Sequence, residues 1–189
     1  MPVIITIAIL LVLVAVPIGI YNGLVRRRNE IKNAQGSIDA VLKQRFDLLP
    51  NLVETVKQYA AHEVSVFTAV TELRKGKGSY GELTTEEKSA FNAGFGTGLR
   101  SFYAVAENYP DLKASANFLH LQRTLNELEE QLSAARRTYN ACVTDYNNAI
   151  QVFPSSIIAG MFNFRAEQVL ETPVAERELP NVKGLFGNN

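Results

Sequence analysis

Tryptophan is absent from this 189-residue chain, cysteine occurs once, histidine twice, and no charged side chain precedes Arg26. Each scarcity excludes something. One cysteine can build neither an intramolecular disulfide framework nor a four-thiolate metal site. His62-Glu63 opens like a zinc-protease motif, but HEVSV has no second histidine four residues on, and His120 stands alone in FLHLQ. Two separated histidines without an acidic cluster make a poor metal site, so neither metal nor cofactor is expected. A surplus of either charge is also missing, since 19 Lys and Arg balance 19 Asp and Glu. Without a basic excess there is no counterion-release drive toward nucleic acid, and no such partner is expected.

The stretch without charge is instead rich in apolar residues. Val3 to Val25 reads VIITIAILLVLVAVPIGIYNGLV, and at ~1.5 Å rise per residue it covers the ~30 Å hydrocarbon layer. Residues 1–25 are therefore expected to form a transmembrane helix. A cleaved signal peptide fits less well, because the leading Met-Pro carries no Lys or Arg and no A-x-A-like site closes the run. Pro17 should kink the helix, with Gly19 giving it room. Tyr21 falls where an aromatic ring favours the membrane interface, and Arg26, Arg27 and Arg28 follow at once. By the positive-inside rule these arginines place the N-terminus outside and the larger part in the cytoplasm. They read as a stop-transfer anchor before a lipid-recognition cluster.

Residues 26–165 read as long helices. From Ile31 to Leu73 apolar or small residues recur in steps of three and four, with Arg45 and Glu63 falling on the same face. One amphipathic helix running outward from the membrane is expected, kinked rather than reversed at Pro50. KGKGSYGEL then marks a helix stop and a surface loop, and Thr84 with Glu87 forms a capping-box pattern for the next helix. That helix carries Gly94, Gly96 and Gly98. No strand precedes them and no P-loop lysine follows, so Gly94 and Gly98 are read as a close helix contact admitting a neighbouring backbone, with a local break in the helix as the alternative. Pro110 makes a corner, with Asp111 as cap.

The strongest periodicity comes last. Phe118, Leu121, Leu125, Leu128, Leu132, Ala135, Tyr139, Cys142, Tyr146, Ala149 and Phe153 alternate by three and four, a seam on a helix predicted to run from about Leu112 to Phe153, where Pro154 stops it. Its partners are either helices of the same chain or neighbouring copies. Cys142 reads as core filler, and the pairs Glu129-Glu130 and Arg136-Arg137 as solvated surface. Tyr139-Asn140 and Tyr146-Asn147 repeat one heptad apart, a structural repeat whose asparagines suit polar pairing between helices. Ile157, Ile158, Met161, Phe162 and Phe164 form a cluster too short to cross a bilayer, which either caps the bundle or offers a partner patch. Residues 166–189, with Pro173, Pro180, Gly184 and Gly187, read as an extended or disordered tail. The fold class expected is all-α: a transmembrane helix continuing into an up-and-down antiparallel bundle of three to four long helices.

DLLPNLVETVKQYAAHE from Asp47, ENYPDLKAS, ARRTYN, DYNNAI and FPSSIIAGMFNF occur here in that order, and with Tyr21-Asn22, Ile38-Asp39 and Leu42-Lys43 they make the chain resemble the LemA family. The resemblance runs from the membrane helix to about Phe164. It departs at Ala34-Gln35, where the family often has Ala-Trp, and loosely follows the pattern after Glu167. It implies a small bacterial inner-membrane protein with one N-terminal span, a helical bundle, and no established enzymatic activity or cofactor.

Two functions fit these readings. One is a non-enzymatic scaffold whose membrane-anchored copies pack side by side into a homo-oligomer. The other is a monomeric receptor or adaptor that presents the bundle end to another membrane protein, such as a quality-control protease. Catalysis needs convergent titratable groups, and the sequence offers none.

Overall fold

The computed structural model describes residues 1–60 and 64–170, apart from the side chains of residues 8 and 64–67. His62-Glu63 and residues 171–189 lie outside that range. All regular structure among the described residues is helical: α1 (Pro2–Tyr59), α2 (Val64–Arg74), α3 (Thr85–Asn108), α4 (Pro110–Ala114), α5 (Ala116–Gln151) and α6 (Ser155–Met161), with a 3-10 turn at Tyr80–Glu82. Contacts divide the chain into two compact units, Lys32–Thr138 on the one hand and Met1–Ile31 with Tyr139–Asn189 on the other.

In the Lys32–Thr138 unit, side-chain pairs set the helix directions. Phe102 near the end of α3 stacks on Phe118 near the start of α5, whereas Asn92 early in α3 accepts a hydrogen bond from Arg136 late in the same unit. The two helices are therefore antiparallel. Arg74, at the end of α2, lies 4.8 Å over the ring of Phe46 in α1. This corrects the expectation of one helix from Ile31 to Leu73: α1 runs uninterrupted through Pro17 and Pro50, ends at Tyr59, and the chain then folds back as α2. Pro50 is exposed and forfeits a single backbone bond, which a 58-residue helix tolerates. The apolar phase persists into α2 because both helices bury a face in the same core, and periodicity records that burial without recording axis direction.

The core of this unit is aromatic at one level and leucine-rich at another. Phe46, Tyr80 and Phe91 are buried and meet edge-on, with centroids 5.6 to 6.2 Å apart, the geometry the ring quadrupoles favour. The Tyr80 hydroxyl donates to Asp39 at 3.4 Å. Burial, reinforced by the Asp39 charge, pushes its pKa up to about 12. Before it, the chain turns at Lys75 and Gly76, both with positive φ, while the Arg74 guanidinium donates to the carbonyls of Lys77 and Gly78. α3 opens as a complete capping box: the Glu87 amide donates to Thr84 Oγ1, and the Thr84 amide donates to the Glu87 carboxylate.

Gly94 and Gly98 face α2. A Cβ on Gly98 would stand 2.7 Å from Leu73 Cδ1 and one on Gly94 3.2 Å from Leu73 Cδ2, whereas Gly96 has open space. The neighbour they admit is thus a leucine side chain rather than backbone. Gly96→Ala should raise stability by up to ~1 kcal/mol through helix propensity alone. Gly98→Ala should gain nothing or lose stability, because Leu73 must move out of its packed position. Thermal melts of the two variants, followed by circular dichroism, check the ordering.

At the start of α5, Asp111 is not the cap. Pro110–Ala114 forms its own short helix, and the Phe118 amide donates to Ser115 Oγ at the beginning of the next. At the other end α5 stops at Gln151, so Phe153 leaves the seam and is 80% exposed. Leu121, Leu125, Leu128 and Leu132 are buried among helices of their own chain.

Candidate functional site: the juxtamembrane unit

The Met1–Ile31 and Tyr139–Asn189 unit begins with the apolar half of α1. This helix is long and apolar enough to cross a membrane, and its apolar window is wholly unburied. Where the apolar run ends, the chain acquires partners. Leu24 and Ile31 are buried, and Ile31, Val143 and Tyr146 form a small core against which Tyr139, Cys142, Ile150 and Phe164 pack. The seam thus passes through Val143, with Cys142, the residue that the heptad spacing points to, only partly buried beside it. An α-helix of 3.6 residues per turn drifts about 20° per heptad against a strict repeat, so the buried line migrates.

Tyr21 is partly exposed, and its ring meets Phe162 at 4.7 Å and Phe164 at 5.7 Å. Arg26, Arg27 and Arg28 are exposed beyond it. Of the apolar cluster after Pro154, Ile158 and Ala159 turn inward, while Ile157, Met161 and Phe162 remain more than half exposed. The Ser155 hydroxyl holds the preceding turn by donating toward the carbonyls of Ala149 and Val152.

The unit's most ordered polar feature involves the two asparagines. Asn147 Nδ2 donates to the Glu167 carbonyl at 2.8 Å while its Oδ1 accepts from the Glu167 amide at 3.0 Å. Asn140 repeats the arrangement on Leu170, at 2.9 and 2.8 Å. Each primary amide imitates a peptide group and pairs with the edge of a segment that lacks regular structure. The spacing explains the fit: seven residues of helix advance ~10.5 Å and three residues of extended chain advance ~10 Å, so a heptad repeat on α5 matches an i, i+3 repeat on the segment. The Tyr139 hydroxyl adds a bond to the Gln168 carbonyl. Burial, and then the Glu167 charge, raise the Tyr139 pKa. Tyr146 is likewise raised by burial, with Arg28 opposing and Glu167 assisting. Both phenols therefore stay protonated at neutral pH. The asparagines pair with backbone from the same chain, not with another helix, and their heptad spacing was the available signal.

Within the Lys32–Thr138 unit, Glu129 and Arg136, both read as surface, have structural partners. Arg45 is buried, its guanidinium lies 5.0 Å over the Phe95 ring, and it forms an ion pair with Glu129. Burial lowers the Arg45 pKa, with Glu129 pulling it back up. Arg136, also expected in solvent, is partly buried on Asn92. An open groove of about 650 Å³ runs between α2 and α3, with Leu73, Phe91, Gly94 and Gly98 in its wall. His120 is exposed, and no group of three or more His, Cys, Asp or Glu that could hold a metal occurs among the described residues.

The arrangement is one of anchoring and packing, and comparison with known proteins agrees with it. The LemA family profile matches residues 34–183. The chain is 27% identical over 181 residues to magnetosome proteins MamQ 1 and MamQ 2 of Paramagnetospirillum magneticum, covering 82% of this chain and 66% of each of theirs. It thus spans just under two thirds of the length of those relatives. With protein LemA of Metamycoplasma hominis it is 29% identical over 173 residues, 87% of this chain and 77% of that one. An N-terminal apolar helix joined to a helical bundle, with a family match over most of its length, identifies a membrane-associated protein: this chain belongs to the LemA family.

Proposed function

We propose that the protein is a non-enzymatic, membrane-anchored scaffold that assembles laterally into a homo-oligomer at the bacterial inner membrane, with its N-terminus outside and its bundle in the cytoplasm. One observation carries the reading. The polar side chains with well-placed partners, Arg45, Asn140 and Asn147, hold the chain's own helices and backbone, and a site for chemistry would instead aim such groups at a cavity. The balanced surface charge supports contact between like copies, because neither sign is in excess to repel. A second reading, an adaptor for another membrane protein, is favoured by the groove between α2 and α3, which a partner helix or loop could enter.

Mass photometry of detergent-extracted protein separates the two. The scaffold predicts a discrete oligomer that persists on dilution, and a monomer at every concentration would sink it in favour of the adaptor. In intact spheroplasts a membrane-permeant lysine cross-linker should trap the same oligomer while an impermeant one traps none. Ladders with the impermeant reagent would place the bundle outside.

A further inference from the structure

Five large apolar side chains in the turn after α5, along α6 and just past it are left without cover: Val152, Phe153, Ile157, Met161 and Phe162, each more than half exposed. A soluble surface would scatter such residues. Here they fall within eleven residues of chain, on the turn and around a short helix whose Ile158 and Ala159 are buried. Their location narrows the choice of occupant. Phe162 packs on Tyr21, the aromatic residue at the end of the apolar run. Val152 lines a groove of about 400 Å³ together with Ile20, Leu24 and Arg27 of the same stretch of α1. The exposed patch is thus continuous with the side of the span, at the depth where aromatic and basic residues mark the boundary between hydrocarbon and headgroups. α6 also carries no charged residue that would hold it away from lipid.

We propose that α6 and its flanking residues lie in the interfacial layer of the bilayer as a second membrane contact, which fixes the rotation and tilt of the anchor in the bilayer. The proposal rests on residues 1–25 spanning the membrane. A helix lying in the interface buries its apolar face ~5–10 Å below the headgroups, a depth within reach of Phe153 and Met161 but not of a side chain that remains in water.

The absence of tryptophan makes the test direct. Two single-tryptophan variants of the full chain, Phe153→Trp and Ile9→Trp, are reconstituted into phosphatidylcholine–phosphatidylglycerol vesicles with either ordinary or brominated acyl chains. Phe153→Trp should show blue-shifted emission and lose about half of its fluorescence in brominated lipid, as expected for a side chain at interfacial depth. Ile9→Trp should be quenched more strongly. Water-like emission from Phe153→Trp that bromine does not change overturns the proposal. Blue-shifted emission without quenching overturns it too, because a protein surface would then be the cover. If Ile9→Trp is itself unquenched, the span is at fault, and the two failures are told apart.

Discussion

Replacing Leu125 and Leu132 together by aspartate should abolish the folded state of the Lys32–Thr138 unit. Both leucines are about 1% exposed and belong to the core in which α1, α2, α3 and α5 meet. Truncating such a side chain to alanine costs ~2–5 kcal/mol, and a carboxylate in the same place adds a buried, unpaired charge. Two such changes exceed the ~5–15 kcal/mol by which a typical domain is stable. Loss of helical circular dichroism and of a cooperative melt is the expected result. Leu125→Met with Leu132→Met, which preserves volume, should keep both. The loss should also be independent of protein concentration, because the seam's partners belong to the same chain. Wild-type melting of the aspartate variant would mean that this face of α5 is exposed.

Asn140→Ala combined with Asn147→Ala should free residues 165–170 while leaving the helices intact. Four hydrogen bonds tie Glu167 and Leu170 to α5. At ~1 kcal/mol net for each, the pair on Asn147 holds about 2 kcal/mol, which corresponds to roughly thirty-fold in a local opening equilibrium. Amide hydrogen exchange at Glu167 and Leu170 should accelerate by at least that factor in the double variant. Asn147→Asp is the finer probe: it keeps an acceptor for the Glu167 amide, loses the donor to the Glu167 carbonyl, and should fall between wild type and alanine. Unchanged exchange at both amides would mean that the segment is held by its apolar contacts and not by the asparagines.

The two asparagines also mark the limit of what periodicity conveys. Their heptad spacing placed them on one face, and polar groups at such positions commonly pair across helices. Which backbone they meet depends on where the chain goes after α6, and no local pattern encodes that. Glu129 and Arg136 make the same point from the surface side. In sequence they are ordinary charged residues next to other charged residues, and only the approach of α1 and α3 turns one into the partner of buried Arg45 and the other into the partner of Asn92. Arg45 itself carried a signal, since it stood in the apolar phase of its helix, where a charge needs a reason. Phe153 failed in the opposite sense: it kept the seam's spacing, but α5 ends two residues before it.

The sequence by itself determined that this chain is helical, that its first 25 residues lack charge and are long enough to span a membrane, that its long helices each turn an apolar stripe toward a core, and where α3 begins. Those are local properties, set by side-chain chemistry at intervals of three and four residues and by one capping box. Only the tertiary structure decided that the chain folds back after Tyr59, that the Leu73 side chain rather than a backbone fills the space at Gly98, and that Phe162, just past α6, rests against Tyr21. Helix direction and pairing are global. The same apolar stripe serves a helix pointing either way, and the choice is made by which arrangement buries all the stripes at once.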